Sequence, residues 1–159
     1  MIEQPHFARR AIIMAAGVGE RMNPITQTTP KPLVSVCGRR MIDTIIEALN
    51  QNGISEIYGV GGYLKEQFFS LSDRYPGVKL IENPDYYKAN NISSLYYARE
   101  YLGDCIILDG DQIIHAPEIL RPEFRRSGYC CCWVSGPSHE WILTLENDLV
   151  TSCSRTGGD

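Results

Sequence analysis

At 159 residues the chain fits one ordinary domain and leaves little room for two. Its apolar share of 43% excludes wholesale disorder. Its formal charge of −4 argues against a general nucleic-acid binder, which needs a basic excess or a basic stripe.

In chain order, Arg10–Ala16 is a short continuous apolar run, as expected of a strand buried on both faces. It is far too short to span a bilayer and lacks signal-peptide flanks. No membrane insertion and a cytoplasmic location are therefore expected. From Gly17 to Pro32 two glycines and three prolines rule out regular helix or strand, and predict a long ordered loop of the kind that is usually functional. Met41, Ile42, Ile45, Ile46 and Leu49 fall at helical spacing and predict a helix over Arg40–Gln51, ended by Asn52-Gly53. A strand at Glu56–Val60 runs into Gly61-Gly62, followed by a helix around Leu64–Ser72 and a short strand at Val78–Ile81. Ile92, Leu95, Ala98 and Leu102 predict one apolar face of a helix over Asn91–Leu102. Cys105–Leu108 is another apolar strand, and Pro117–Arg126 reads as a helix with proline near its start.

After Ser127 three strands are expected, at Tyr129–Val134, Trp141–Glu146 and Leu149–Ser154, the last two joined by the hairpin signal Asn147-Asp148. Four strands alternating with helices, then antiparallel β, give an α/β three-layer fold with a mostly parallel sheet. The six cysteines form no C-x-x-C pair, and three in succession on a strand cannot converge on one metal. They are expected to be small buried hydrophobes in a reducing compartment.

Three segments carry chemistry. The first is the loop itself. It lacks the third glycine of the dinucleotide fingerprint, since Met22 stands there, and it lacks a Walker Gly-Lys-Ser/Thr. Gly17 and Gly19 still let backbone N–H groups approach an anion. Arg21 adds a planar fork for phosphate oxygens, and Lys31 is held between Pro30 and Pro32. The second segment is Asp109-Gly110-Asp111, two carboxylates where an apolar strand ends. Strand carboxyl ends hold ligands in open α/β sheets, and Mg2+ takes such oxygens together with phosphates. The third runs from Asn83 to Leu95. Its amides and hydroxyls suit either helix capping or reading a pyrimidine edge.

The run Ala15-Ala16-Gly17-x-Gly19-x-Arg21-x-x-Pro24-x-Thr26-x-x-x-Pro30-Lys31-Pro32-Leu33 resembles, without departure, the signature of the nucleotidyltransferases that make sugar nucleotides and CDP-alcohols. Asn90-Asn91-Ile92-Ser93-Ser94-Leu95 is similar to the Asn-Asn-Ile-x-Ser-Leu of the bacterial phosphocholine cytidylyltransferases. The resemblance implies a Rossmann-like nucleotidyltransferase fold. It implies that the glycine loop wraps a nucleoside triphosphate, with Ala15, Ala16, Gly17, Gly19 and Glu20 lining it. Arg21 would contact the β/γ-phosphates and Lys31 the phosphates around the reacting centre, as the catalytic pair. Gly62, Asn83, Asn91 and Ser94 are the further nucleotide-binding candidates. The metal ligand is implied at Asp111, with Asp109 as its second candidate or partner.

A quaternary ammonium acceptor favours aromatic faces near an acid. His139-Glu140-Trp141 offers such a pair, so Glu140 and Trp141 are the acceptor-binding candidates, with Trp133 a further aromatic. His6, His115 and His139 show no nucleophilic partner at a recognised spacing. The reading is Mg2+-dependent transfer of CMP from CTP to phosphocholine or a similar phosphorylated amino alcohol. Its alternatives are a sugar-1-phosphate nucleotidyltransferase using UTP, dTTP or GTP, and a nucleotide-binding module without turnover. Aminoethylphosphonate, phosphoethanolamine and sugar phosphates are further acceptors, and a homo-oligomer is compatible. The resemblance also implies longer relatives with a second metal-binding aspartate in their C-terminal part. The expectation is thus one nucleotidyltransferase domain over 1–159, its nucleotide-binding portion, lacking that part and with Asp159 unassigned.

Overall fold

The chain opens with a short strand β1 (His6–Phe7) and the buried strand β2 (Arg10–Ala15). Single 3-10 turns follow at Glu20–Met22, Ile25–Gln27 and Lys31–Leu33. A small hairpin, β3 (Ser35–Val36) and β4 (Arg39–Arg40), leads into helix α1 (Met41–Gln51). Strand β5 (Glu56–Gly61), helix α2 (Phe69–Arg74), strand β6 (Val78–Glu82), helix α3 (Ile92–Tyr97) and strand β7 (Cys105–Asp109) complete the core. Strand β8 (Glu123–Phe124) returns to pair with β1. A hairpin of β9 (Ile142–Glu146) and β10 (Leu149–Ser154) is the last regular structure among the described residues. The computed structural model describes residues 4–136 and 140–154, and the chain divides into two units after Arg126.

In the first unit β2, β5, β6 and β7 form one parallel sheet in the order β6-β5-β2-β7. Period-two alternation sends successive side chains to opposite faces. Ala11, Ile13, Ala15 and Ile57 pack with Ile42, Ile45, Ile46 and Leu49 of α1 and with Phe68 and Leu71. Ile12, Tyr58 and Val60 pack on the other face with Ala98. The three-layer α/β expectation is therefore met. Ile12, Ile45, Ile46 and Leu49 have no exposed surface, and burying each contributes about 1.5–3 kcal/mol. A charge at Ile46 would break this layer. Helix α1 stops where Gly53 turns left-handed at φ 77°, so that Ile54 N–H donates to the Leu49 carbonyl at 3.0 Å.

Several expectations are corrected. Pro117–Arg126 is not one helix. A 3-10 turn covers Pro117–Leu120, and Pro122 then directs the chain into β8, its carbonyl accepting from Ala8 N–H at 2.8 Å. Proline cannot continue the ladder of i→i−4 bonds. Asn91–Leu102 is broken at Ala98 into α3 and a 3-10 turn, Arg99–Tyr101. Its buried positions are Ser93, Ser94 and Ala98, whereas Ile92 and Leu102 are exposed. Buried hydroxyls here replace the apolar stripe. The Leu64–Ser72 helix is a 3-10 turn, Lys65–Phe68, running into α2.

In the second unit, Tyr129–Val134 forms no strand and its residues are exposed. Local β-preference alone does not hold a strand without a partner. The hairpin is as expected, with Asn147 and Asp148 both at positive φ, 51° and 61°, as a tight two-residue turn requires. The cysteines are not core: Cys37, Cys130, Cys131, Cys132 and Cys153 are exposed, Cys105 is half-buried, and all are free. The triplet follows Tyr129–Val134 into solvent.

Candidate active site

The strand order reverses beside β2, whose neighbours β5 and β7 lie on opposite sides. Such a reversal opens a crevice at the strands' carboxyl ends. The glycine-rich loop leaves β2 at that point, and Asp109-Gly110-Asp111 leaves β7 beside it, with Met14 in register with Asp109.

Gly19 is the hinge of the loop. Its φ of 71° favours glycine, and a Cβ there would meet Thr26 Cγ2 at 3.1 Å and Lys31 Cβ at 3.2 Å. Thr26 is buried, and its hydroxyl lies 3.0 Å from both the Gly19 carbonyl and Asn23 Oδ1. It donates to one of these at a time, pinning the loop from inside. The far limb is tied to the segment after β5. The Tyr63 hydroxyl donates to the Gln27 carbonyl at 3.2 Å, Gln67 Nε2 to the Thr28 carbonyl at 2.8 Å, and Tyr63 N–H to the Ala16 carbonyl at 3.1 Å. Ala15 and Ala16 are buried at the strand end, while Gly17 is open, with nothing within 4 Å of a Cβ built on it. Glu20 and Arg21 are exposed, and the Arg21 side chain has no hydrogen bond or ion pair among the described residues.

Gly110 brings the two motifs together. Its N–H donates to the Met14 carbonyl at 2.8 Å. A Cβ there would lie 3.1 Å from Ala15 Cβ, the Met14 carbonyl oxygen and Pro32 Cγ. Glycine thus lets Pro32 settle on the strand end, and the preceding Lys31 reaches Asp111, Nζ to Oδ2 at 2.5 Å. The two partners are 80 residues apart in sequence. Burial pushes the Asp109 carboxyl above its ordinary range, the Asp111 carboxylate adds to this, and Lys31 opposes it. Asn91 Nδ2 donates to Asp109 Oδ1 at 3.3 Å.

The two carboxylates fit magnesium's chemistry. That ion is commonly held by one or two carboxylates, with substrate phosphates and water filling its remaining positions. Among the described residues no group of three or more His, Cys, Asp or Glu side chains converges as an all-protein metal cage.

Asn83 and Ser94 are turned into the fold and hydrogen-bonded there. Both are buried. Asn83 Nδ2 donates to Ser93 Oγ at 2.9 Å and Ser94 Oγ at 3.1 Å, and its Oδ1 accepts from Asp85 N–H at 3.0 Å. They brace the segment from which Asn91 reaches Asp109. Gly62 is buried as well, under Tyr86, whose ring would lie 2.8 Å from a Cβ at that position. The functions of Gly110, Tyr63 and Gln67 went unread in the sequence. The signal for Gly110 was a glycine between two acids. The other two offered none, because their partners are backbone carbonyls more than thirty residues away.

The acceptor candidates Glu140 and Trp141 belong to the second unit. Trp141 and Trp133 are both exposed, at 62% and 92%. His139 lies outside the described residues, as does Asp159.

The family model for nucleotidyl transferases matches residues 10–120, the stretch that holds both motifs and the sheet between them. The chain belongs to the nucleotidyl transferase family. Among its relatives, 2-aminoethylphosphonate cytidylyltransferase of Lancefieldella rimae is 48% identical over 152 residues, which are 94% of this chain and 62% of that protein. Choline-phosphate cytidylyltransferase of Streptococcus pneumoniae is 39% identical over 139 residues, 87% of this chain and 60% of that one. The solved structure of a CTP:phosphocholine cytidylyltransferase from Streptococcus pneumoniae superposes with a TM-score of 0.81 at 36% identity, covering 91% of this chain and 63% of that one. The chain thus spans about three fifths of the length of these relatives. Among the described residues no helix is long and apolar enough to cross a membrane.

Proposed function

We propose that this chain carries the nucleotide site of a cytidylyltransferase, which transfers CMP from CTP to a small phosphorylated or phosphonylated amine and releases pyrophosphate. The observation that carries the reading is the junction of Lys31 and Asp111, one basic and one acidic group brought from two motifs to the crevice beside β2. An acceptor oxygen attacks the α-phosphorus in line; a P–O–P bond forms and the bond to the pyrophosphate leaving group breaks. The acceptor is already a competent nucleophile, so the protein's task is positioning and charge stabilisation. The N–H groups of the open Gly17–Gly19 turn would cradle the triphosphate. Arg21 would pair with its terminal phosphates, and Lys31 would stabilise charge at the reacting phosphorus. Asp111, with Asp109 beside it, would hold Mg2+, which supplies charge neutralisation on the phosphates.

The acceptor reading favours a phosphonate such as 2-aminoethylphosphonate, because identity to the Lancefieldella rimae enzyme is 48% against 39% for the choline-phosphate enzyme. Phosphocholine is the second reading, supported by the 0.81 TM-score. Both acceptors join a cationic nitrogen to an anionic phosphorus group. The test is pyrophosphate release from CTP with each acceptor in turn. Turnover at least tenfold faster with 2-aminoethylphosphonate supports the first reading, and the reverse order supports the second. Release with a sugar 1-phosphate alone would overturn both.

A further inference from the structure

Lys31 has a partner before any phosphate arrives. Its Nζ lies 2.5 Å from Asp111 Oδ2, and the two side chains are 24% and 36% exposed, so solvent screens this contact only in part. The pair is built in rather than casual. Pro30 and Pro32 flank the lysine, Gly19 makes room for its Cβ, and Gly110 lets Pro32 seat on the strand end. One oxygen of the carboxylate that the proposed function gives to the cation is therefore already capped by the ammonium that would meet the nucleotide.

We propose that Lys31 is a removable cap on the metal oxygen, so that cation binding at Asp111 and triphosphate binding at the loop are positively coupled. The proposal rests on the nucleotide reading above. An ammonium has no second full charge to share. When phosphate oxygens take it, Asp111 Oδ2 is freed for the cation. When a cation takes Oδ2, the displaced lysine is released toward phosphate. Each ligand thus removes part of the cost of admitting the other, and such coupling is reciprocal. Without triphosphate the cation must first displace a charge-assisted hydrogen bond.

The test uses Mn2+ as a paramagnetic probe, titrated without nucleotide into the wild type, Lys31→Met and Arg21→Met. Removing the cap should tighten Mn2+ binding about tenfold, the scale of one net hydrogen bond to a charged group. Arg21→Met removes an equal charge from the same loop without touching Asp111, and should shift binding less than about twofold at physiological salt, where exposed charges are screened. Equal tightening in both variants would show a general charge effect and overturn the cap. Unchanged affinity in Lys31→Met, with its melting temperature preserved, would overturn it too. Should CTP with Mg2+ leave the wild-type melting temperature unmoved while the two variants separate as stated, the nucleotide reading and the coupling to triphosphate both fail, and only the blocking of Asp111 by Lys31 remains.

Discussion

The glycine-rich loop keeps charged side chains on its outside, while the segment from Asn83 to Ser94 turns its amide and hydroxyls inward. Both are polar, and both follow strands of the same sheet. In the first, the buried Thr26 hydroxyl fastens the turn from below and leaves Arg21 exposed and Lys31 on Asp111. In the second, Asn83 satisfies Ser93, Ser94 and the Asp85 N–H at once, and Asn91 alone reaches the acid site. A polar side chain near a ligand crevice therefore acts according to its burial. An exposed cation is free for a ligand, whereas a satisfied buried amide sets the geometry that others use.

The largest separation should come from substituting each region's central residue. Lys31→Ala or Asp111→Ala should lower turnover by a factor of about 100 or more, with the melting temperature within a few degrees of wild type. Near-normal turnover in either would break the contrast. Asn83→Ala should do the opposite. Leaving two buried hydroxyls and a backbone N–H short of a partner should cost about 2–3 kcal/mol in urea unfolding. A stability unchanged within error would show that the amide is no brace.

Gly110→Ala sharpens the point where the loop meets β7. Contacts of 3.1 Å to Pro32 and to the Met14 carbonyl must open, at about 1–3 kcal/mol, and Lys31 should move off Asp111. Turnover should fall more than stability explains. Full activity would mean that Pro32 need not seat there.

The smallest effect is a pH dependence of the braced segment. The Tyr97 hydroxyl, donating to Asp85 at 2.6 Å, and then Lys88 hold the Asp85 carboxyl below its ordinary value of 3.8. A depressed carboxylate contributes stability that is present above the unfolded value and lost as pH falls through the folded one. The urea midpoint should therefore drop as pH falls below about 4, and less steeply in Asp85→Asn. Parallel profiles would contradict the assignment.

Much of the site was legible because its signals are local. The apolar run of β2, the glycines and prolines after it, and the acids after β7 each lie within one short stretch. The sheet followed from the apolar strands. What escaped depends on distant partners. Pro117–Arg126 reads as helix until β8 is seen pairing with β1. The buried face of α3 is marked by serines, which no apolar periodicity reveals, because their partner Asn83 lies ten residues or more upstream. The packing of Tyr86 against Gly62 has no local signal either.

The proposed function makes the crevice beside β2 a CTP site whose phosphates meet Lys31. The most direct measurement is the melting temperature of the protein with Mg2+ and each of CTP, UTP, dTTP and GTP in turn, for the wild type and Lys31→Ala. At ligand near a hundred times its dissociation constant, CTP should raise the wild-type value by on the order of 5 °C. The other triphosphates should raise it less, and the variant should lose most of the CTP shift. Equal shifts with all four nucleotides, or a CTP shift undiminished in Lys31→Ala, would contradict the account.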